Sequence, residues 1–286
     1  MTDVLVCAVA SRETVARRVL GAACQTSGVG ARLELYGSSG SLYQRLGPRR
    51  AAPFPDVVLW FGPFAAQAAA LDGLLLPHQP TRAADSVVHD PEWRWTTLDY
   101  AAIGVVGPPG LASLQDLAAV NGLACADPER SESGMAILLA TLDRARQVES
   151  DVERGWAWWQ QRMRRGVQLT EDDQGAQALV GDGGVSHALT LAEVGAALVG
   201  LPALPHAVSL AASSRNVDDA RRLLDWLSGP DAGALLPLSP WTAQSNGRLQ
   251  TLQAAAPPLD VEWGRQQYTA ARMRWAQSGF APIVKS

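Results

Sequence analysis

Cysteine is scarce in this 286-residue chain. There are three (Cys7, Cys24 and Cys125), an odd number at wide spacing with no CxxC pair, so no disulfide framework or thiolate metal site is indicated. No apolar run approaches the roughly 20 residues a helix needs to cross a bilayer. Basic residues are scattered through a chain of net charge −4 and pI about 5.6, which argues against nucleic acid as a partner. The four histidines show no HxH or HxxxH spacing, and there is no internal repeat or low-complexity linker. Enzyme signatures are missing as well. There is no G-x-S-x-G elbow, no G-x-x-x-x-G-K-[ST] loop, no G-x-G-x-x-G fingerprint, and no carboxylate pair assignable to acid–base work. The chain reads as a non-enzyme with no cofactor and no metal.

What is present is an ordinary globular composition, 47% hydrophobic and 18% charged, in a chain long enough for one large or two medium domains. The opening "MTDVLVCAVASRE" has an early Asp3 and no basic segment, so it reads as the first strand of a mature domain. Two compartments follow from that. Either a leader is removed upstream and the protein is periplasmic or extracellular, or it stays in the cytoplasm.

The periodicities give an α/β order. "DVLVCAVAS", "RLELYGS" and "PDVVLWFG" read as strands, each followed by a helix, and such β-α repeats form parallel sheets. Val152, Trp156, Trp159 and Met163 share one helical face, leaving Trp158 off it. Asn216 and Asp260 stand where N-caps belong. Pro/Gly-punctuated crossings near 89–100 and 205–208 divide the chain into a discontinuous lobe 1 (1–88 plus 208–286) and a lobe 2 (100–205).

Two polar loops stand out. In "ELYGSSGSLYQRL", Ser38, Ser39, Gly40 and Ser41 lie between a strand and a helix, where backbone N–H groups and hydroxyls can converge on an anion. The competing reading is an N-cap with a glycine turn. "RSESG" repeats the logic, with Ser131 or Ser133 as cap. Thr170, Glu171, Asp172 and Asp173 form an acidic loop that could take an ammonium or a metal, or simply be solvated.

The ordered pieces "GSSGSLYQRL", "PDVVLWFG", "LDGLLLP", "SLQDLA", "GLACADPERSESG", "GWAWWQQRM", "ALVGDGGVSHALT" and "SSRNVDDARRLLDWLSGPDAGALL" run through most of the chain. In order and spacing they resemble the type 2 periplasmic (extracellular) solute-binding proteins of ABC transporters, close to the ferric-iron and phosphonate-binding group. The resemblance implies an α/β fold of two lobes joined by a hinge, each a mostly parallel sheet flanked by helices, with a ligand cleft between. It also implies a monomer delivering a small solute to an ABC permease. The ligand-binding residues expected on this basis are Ser11, Ser38, Ser39, Ser41, Trp60, Ser131, Ser133 and Thr170, and the favoured solute is an anionic organic molecule. Iron is disfavoured, because "GDGGVSHALTLAEVG" has no tyrosine where ferric-binding members place an adjacent pair. The alternative is a cytoplasmic ligand-sensing or interaction protein that keeps the fold without transport.

Overall fold

The computed structural model describes residues 3–47, 52–83, 88–111, 113–192, 196–197, 201–236 and 258–278. The end of the second-lobe segment quoted last above, residues 193–195, lies outside them. The chain divides into two compact units, the first 1–100 with 205–249 and the second 101–204 with 250–286.

In the first unit the strands β1 (Val4–Val9), β2 (Ala31–Tyr36) and β3 (Val57–Phe61) are parallel in the order β2-β1-β3, each followed by a helix: α1 (Glu13–Ser27), α2 (Ser39–Leu46) and α3 (Pro63–Leu71). Every residue of β3 is buried, as expected of a continuous apolar run covered on both faces. The short β4 (Leu75–Leu76) pairs antiparallel with β10 (Leu204–Ala211), which in turn runs antiparallel to β3. α8 (Val217–Leu227) and α1 close one face, burying Ala16, Val19, Leu20 and Ala23 with Ala220, Leu223 and Leu224. At the amino end of β3, Asp56 is 2% exposed and ties three segments together. Its carboxylate accepts from Leu5 N, from the Ser214 hydroxyl and from the Arg215 and Asn216 amides. Burial alone would raise its pKa, but these donors hold it below the usual carboxylate range. Asn216 occupies the N-cap position of α8 as expected, yet its side chain donates to Asp56 at 3.2 Å instead of capping.

The second unit repeats the plan with a parallel trio β8-β6-β7: β6 (Leu123–Ala126), β7 (Val167–Thr170) and β8 (His187–Ala192). β5 (Thr96–Val106) runs antiparallel to β8 and to β9 (Ala196–Ala197). Helices α4 (Leu114–Ala119), α5 (Glu132–Glu149), α6 (Val152–Arg164) and α7 (Asp173–Gly181) follow the chain between these strands. Trp156 and Trp159 are buried on the predicted stripe of α6, while Trp158 is half-buried with its indole N–H on Leu114 O. Cys7 and Cys125 are interior residues of β1 and β6, and burial pushes the Cys7 thiol up to about 12 and Cys125 higher still.

The chain passes between the units at Tyr100/Ala101, inside β5, and at Leu204/Pro205, inside β10. The expected division differs at the C-terminus, where residues 250–286 group with the second unit and not with the first. The reason lies in α9 (Val261–Gln277), whose N-cap Asp260 accepts from Trp263 N. Asp260 also pairs with Arg146 at 2.8 Å, and its own N–H donates to Asp143. Farther along, Arg274 forks onto Glu153 and the Trp275 indole donates to Asp127. Each of these partners lies in the second unit, and together they anchor the helix there.

Candidate functional site

In the first unit the polar groups gather where the parallel strands end. The register Val9↔Tyr36 sets the turn after β1 beside the turn after β2. Ser11 is exposed in the first turn, a 3-10 segment Ala10–Arg12. Ser38 caps α2 by accepting from Ser41 N at 3.1 Å, and the two hydroxyls are also 3.1 Å apart. Ser39 is buried and accepts from Gly62 N at 2.9 Å, so it pins the start of α2 to the start of α3. A Cβ at Gly62 would sit 3.1 Å from the Ser39 hydroxyl, so a larger residue there would press on the brace. The turn "GSSGS" is therefore both a cap and a brace, with Ser38 and Ser41 half-exposed above it.

Trp60 is 1% exposed, inside the core of the first unit. Between the pairs Ala207↔Phe61 and Ser209↔Val58, β3 advances three residues (58 to 61) while β10 advances two (207 to 209). The extra residue makes a bulge, and Trp60 takes it up with φ +53°, a left-handed conformation that costs a non-glycine residue about 1–3 kcal/mol. The bulge puts Trp60 in the same cluster as its neighbour Leu59, which alternation would have sent to opposite faces. There its indole N–H donates to Asp99 Oδ2 at 3.0 Å.

Asp99, on β5, is 1% exposed and was not among the expected site residues. Its other oxygen lies 2.8 Å from His206 Nδ1, on β10. A carboxylate has only acceptors, so Nδ1 carries the proton and Nε2 is the nitrogen left for another partner. Arg12, from the turn after β1, brings its guanidinium to 3.4 Å from the same Nδ1. With that N–H already given to Asp99, the approach places a positive charge beside the dyad without a hydrogen bond. Burial pushes the Asp99 carboxyl up, but the His206 bond and charge, the Arg12 charge and the Trp60 N–H together hold it below the usual range.

The second unit has a matching edge built from other chemistry. Ser131 caps α5, accepting from Gly134 N at 3.4 Å, and its hydroxyl is 2.8 Å from that of Ser133. Gly134 is required by packing, since a Cβ there would come within 2.4 Å of Ala126 O. The Thr170 hydroxyl is shared between Asp172 O at 2.8 Å and Cys125 O at 3.3 Å. Asp172 caps α7, accepting from Gly175 N. The solvated-loop reading fails for Asp173: Oδ2 accepts from Leu191 N at 3.2 Å, the Ser133 hydroxyl bonds to the same carboxyl, and Oδ1 is buried with no partner among the described residues. Burial dominates and lifts this carboxyl to about 6.

The expected residues thus fall into two groups, Ser11, Ser38, Ser39, Ser41 and Trp60 in the first unit and Ser131, Ser133 and Thr170 in the second. Asp99, His206, Arg12 and Asp173 were missed as a set. Three of them lie far apart in sequence, and the only local signal was Asp173 in its acidic loop. Among the described residues no group of three or more His, Cys, Asp or Glu side chains is arranged to hold a metal ion, and no helix is long and apolar enough to cross a membrane.

No family model matches the chain, and no curated protein does. Solved structures match over its whole length. The apo ferric ion-binding protein A of Pasteurella haemolytica has TM-score 0.77 and 14% identity, covering 100% of both chains. An ABC transporter substrate-binding protein from Bradyrhizobium japonicum has TM-score 0.76 and 15% identity, covering 98% of this chain and 100% of its own. The periplasmic binding protein AfuA from Actinobacillus pleuropneumoniae, with exogenous fructose-6-phosphate bound, has TM-score 0.71 and 14% identity, with 99% of each chain covered. These neighbours are binding proteins and not enzymes. With its two α/β units and its strands in this order, the chain has the fold of the type 2 periplasmic binding proteins.

Proposed function

We propose that this protein is the solute-binding component of an ABC importer, capturing a small organic solute with an anionic group outside the cytoplasmic membrane and handing it to a permease. The observation that carries the reading is the likeness in fold, over the full chain, to proteins that bind iron or a sugar phosphate. Support for the anionic group comes from the first unit, where the N-terminus of α2 and the cationic Arg12 share one sheet edge. The proposed contacts are Ser11, Ser38 and Ser41 there, and Ser131 and Ser133 at the start of α5. Ser39, Trp60 and Thr170 have their polar atoms in internal hydrogen bonds and support the site from beneath. Iron is less well supported: Tyr36 bonds Glu34 and Arg45, and Tyr43 bonds Asp72. The protein acts by binding, as a monomer, without chemistry on the solute.

The test is a thermal-shift screen of the purified protein against phosphonates, phosphate, small carboxylates, sugars, polyamines and ferric citrate. A ligand at a hundredfold excess over its dissociation constant adds about 2.7 kcal/mol to the native state. A rise in melting temperature with one anionic class is expected. A rise with ferric citrate alone would replace the organic anion by iron, and no rise with any class would favour a protein that keeps the fold without transport.

A further inference from the structure

The Asp99–His206 dyad is more elaborate than the fold requires. A buried Trp60 indole needs one acceptor, and a backbone carbonyl would serve. Here the acceptor is a fully buried carboxylate, which is costly unless it is paired. Its pairing group, the His206 ring, is 14% exposed, and its Nε2 is turned away from the only carboxylate that it bonds among the described residues. The left-handed Trp60 and the β3 bulge both serve to bring the indole onto Asp99, and backbone strain of this kind collects at functional sites.

The register sets the backbone around His206. Because Ala207 pairs with Phe61 in the antiparallel ladder, His206 falls opposite Gly62. Gly62 is bonded to Ser39 at the start of α2, and Arg12 approaches the ring from the turn after β1. The described titratable and charged groups that face the ring are thus Asp99 from β5 and Arg12 from the β1 turn, one negative and one positive.

We propose that His206 is an oxyanion-binding residue of the first unit. Its Nε2, protonated, donates to a carboxylate or phosphate oxygen of the solute, with Asp99 as the positioning residue that fixes the ring and offsets its charge. The inference rests on the solute-binding reading above and names the residue that recognises the anionic group. The carboxylate behind the ring keeps Nδ1 engaged, so Nε2 is the nitrogen presented to the solute. The arrangement is a carboxylate-backed histidine like those that orient metal ligands, but the neighbouring guanidinium makes it a site for anions.

Histidine-labelled protein observed by 15N NMR tests this directly. Inorganic phosphate and, separately, acetate are titrated in at pH 6 against a chloride control. A saturable shift of the His206 Nε2 resonance with either anion is expected, with Nδ1 carrying its proton before and after. Resonances unmoved by both anions overturn the proposal. His206→Gln, at a half-buried position, should weaken any anionic solute found in the screen about tenfold or more, the worth of one charge-assisted hydrogen bond. The two readings fail separately. A solute captured equally by the wild type and His206→Gln leaves solute binding standing and removes His206 from it. A saturable phosphate shift at His206 in a protein that no organic solute of the screen stabilises does the reverse.

Discussion

Asp99 and Asp173 are the same residue, the first buried on a strand and the second half-buried at a helix start with one oxygen shielded, yet their carboxyls shift in opposite directions. Asp99 is the more deeply buried, and its pKa is lowered. Asp173 is less buried and rises to about 6. Burial alone would order them the other way. Asp99 has an imidazole, an indole N–H and a guanidinium around it, whereas Asp173 has one backbone amide, one serine hydroxyl and an oxygen with no described partner. The charge state of a buried acid follows from its donors and cations, and the depth only scales what is at stake.

Asp99→Ala should show the largest effect. It leaves a buried indole N–H and a histidine beside Arg12 uncompensated, and the loss is about 3–5 kcal/mol in a urea titration at pH 7. Because the folded pKa is below the ordinary value of 3.8, the stability Asp99 contributes is present above that value and fades as the pH falls through the folded one. The deficit of the variant should therefore shrink as the pH falls below 3.8. A loss under 1 kcal/mol at pH 7 would mean that the dyad is no anchor.

Asp173→Asn runs the other way. With a folded pKa near 6 against 3.8, the native state pays increasingly as the pH rises from about 4 to 6, up to about 3 kcal/mol. The amide should raise the melting temperature at pH 7 and change it little at pH 4. An equal loss at both would make the carboxyl a neutral tie and end the contrast with Asp99.

The two helix starts extend the comparison. Ser39→Ala removes the acceptor of Gly62 N, and a cost of about 1 kcal/mol is expected from chemical denaturation. Ser131→Ala removes a cap bond that is already long at 3.4 Å, so about 0.5 kcal/mol is expected by the same assay. The reverse order would show that the brace between α2 and α3 is the weaker of the two.

How much of this was legible depended on range in sequence. β1, β3 and the α6 stripe follow from apolar periodicity, and Ser38, Ser131 and Asp260 cap the helices they precede. Asn216 shows the limit of such local reading, because Asp56, 160 residues away, drew its side chain from the cap. Arg162 shows another. It is wholly buried three residues after Trp159, with Nη1 donating to Ala118 O and Val120 O, where its charge predicts exposure. The terminal helix was expected in the first unit because it follows a return crossing, but its ion pairs with Arg146 and Glu153 hold it in the second.

The sequence by itself determined the elements, their α/β order, the helix caps and the resemblance of the whole to a two-lobed binding protein. All of these depend on contacts a few residues apart or on the order of segments. Only the tertiary structure decided that Trp60 turns inward at a bulge, that Asp99 fixes His206 beside Arg12, and that one carboxylate oxygen of Asp173 is shut away from solvent. Those outcomes depend on strand register and on partners up to 194 residues apart, and no local pattern encodes a register.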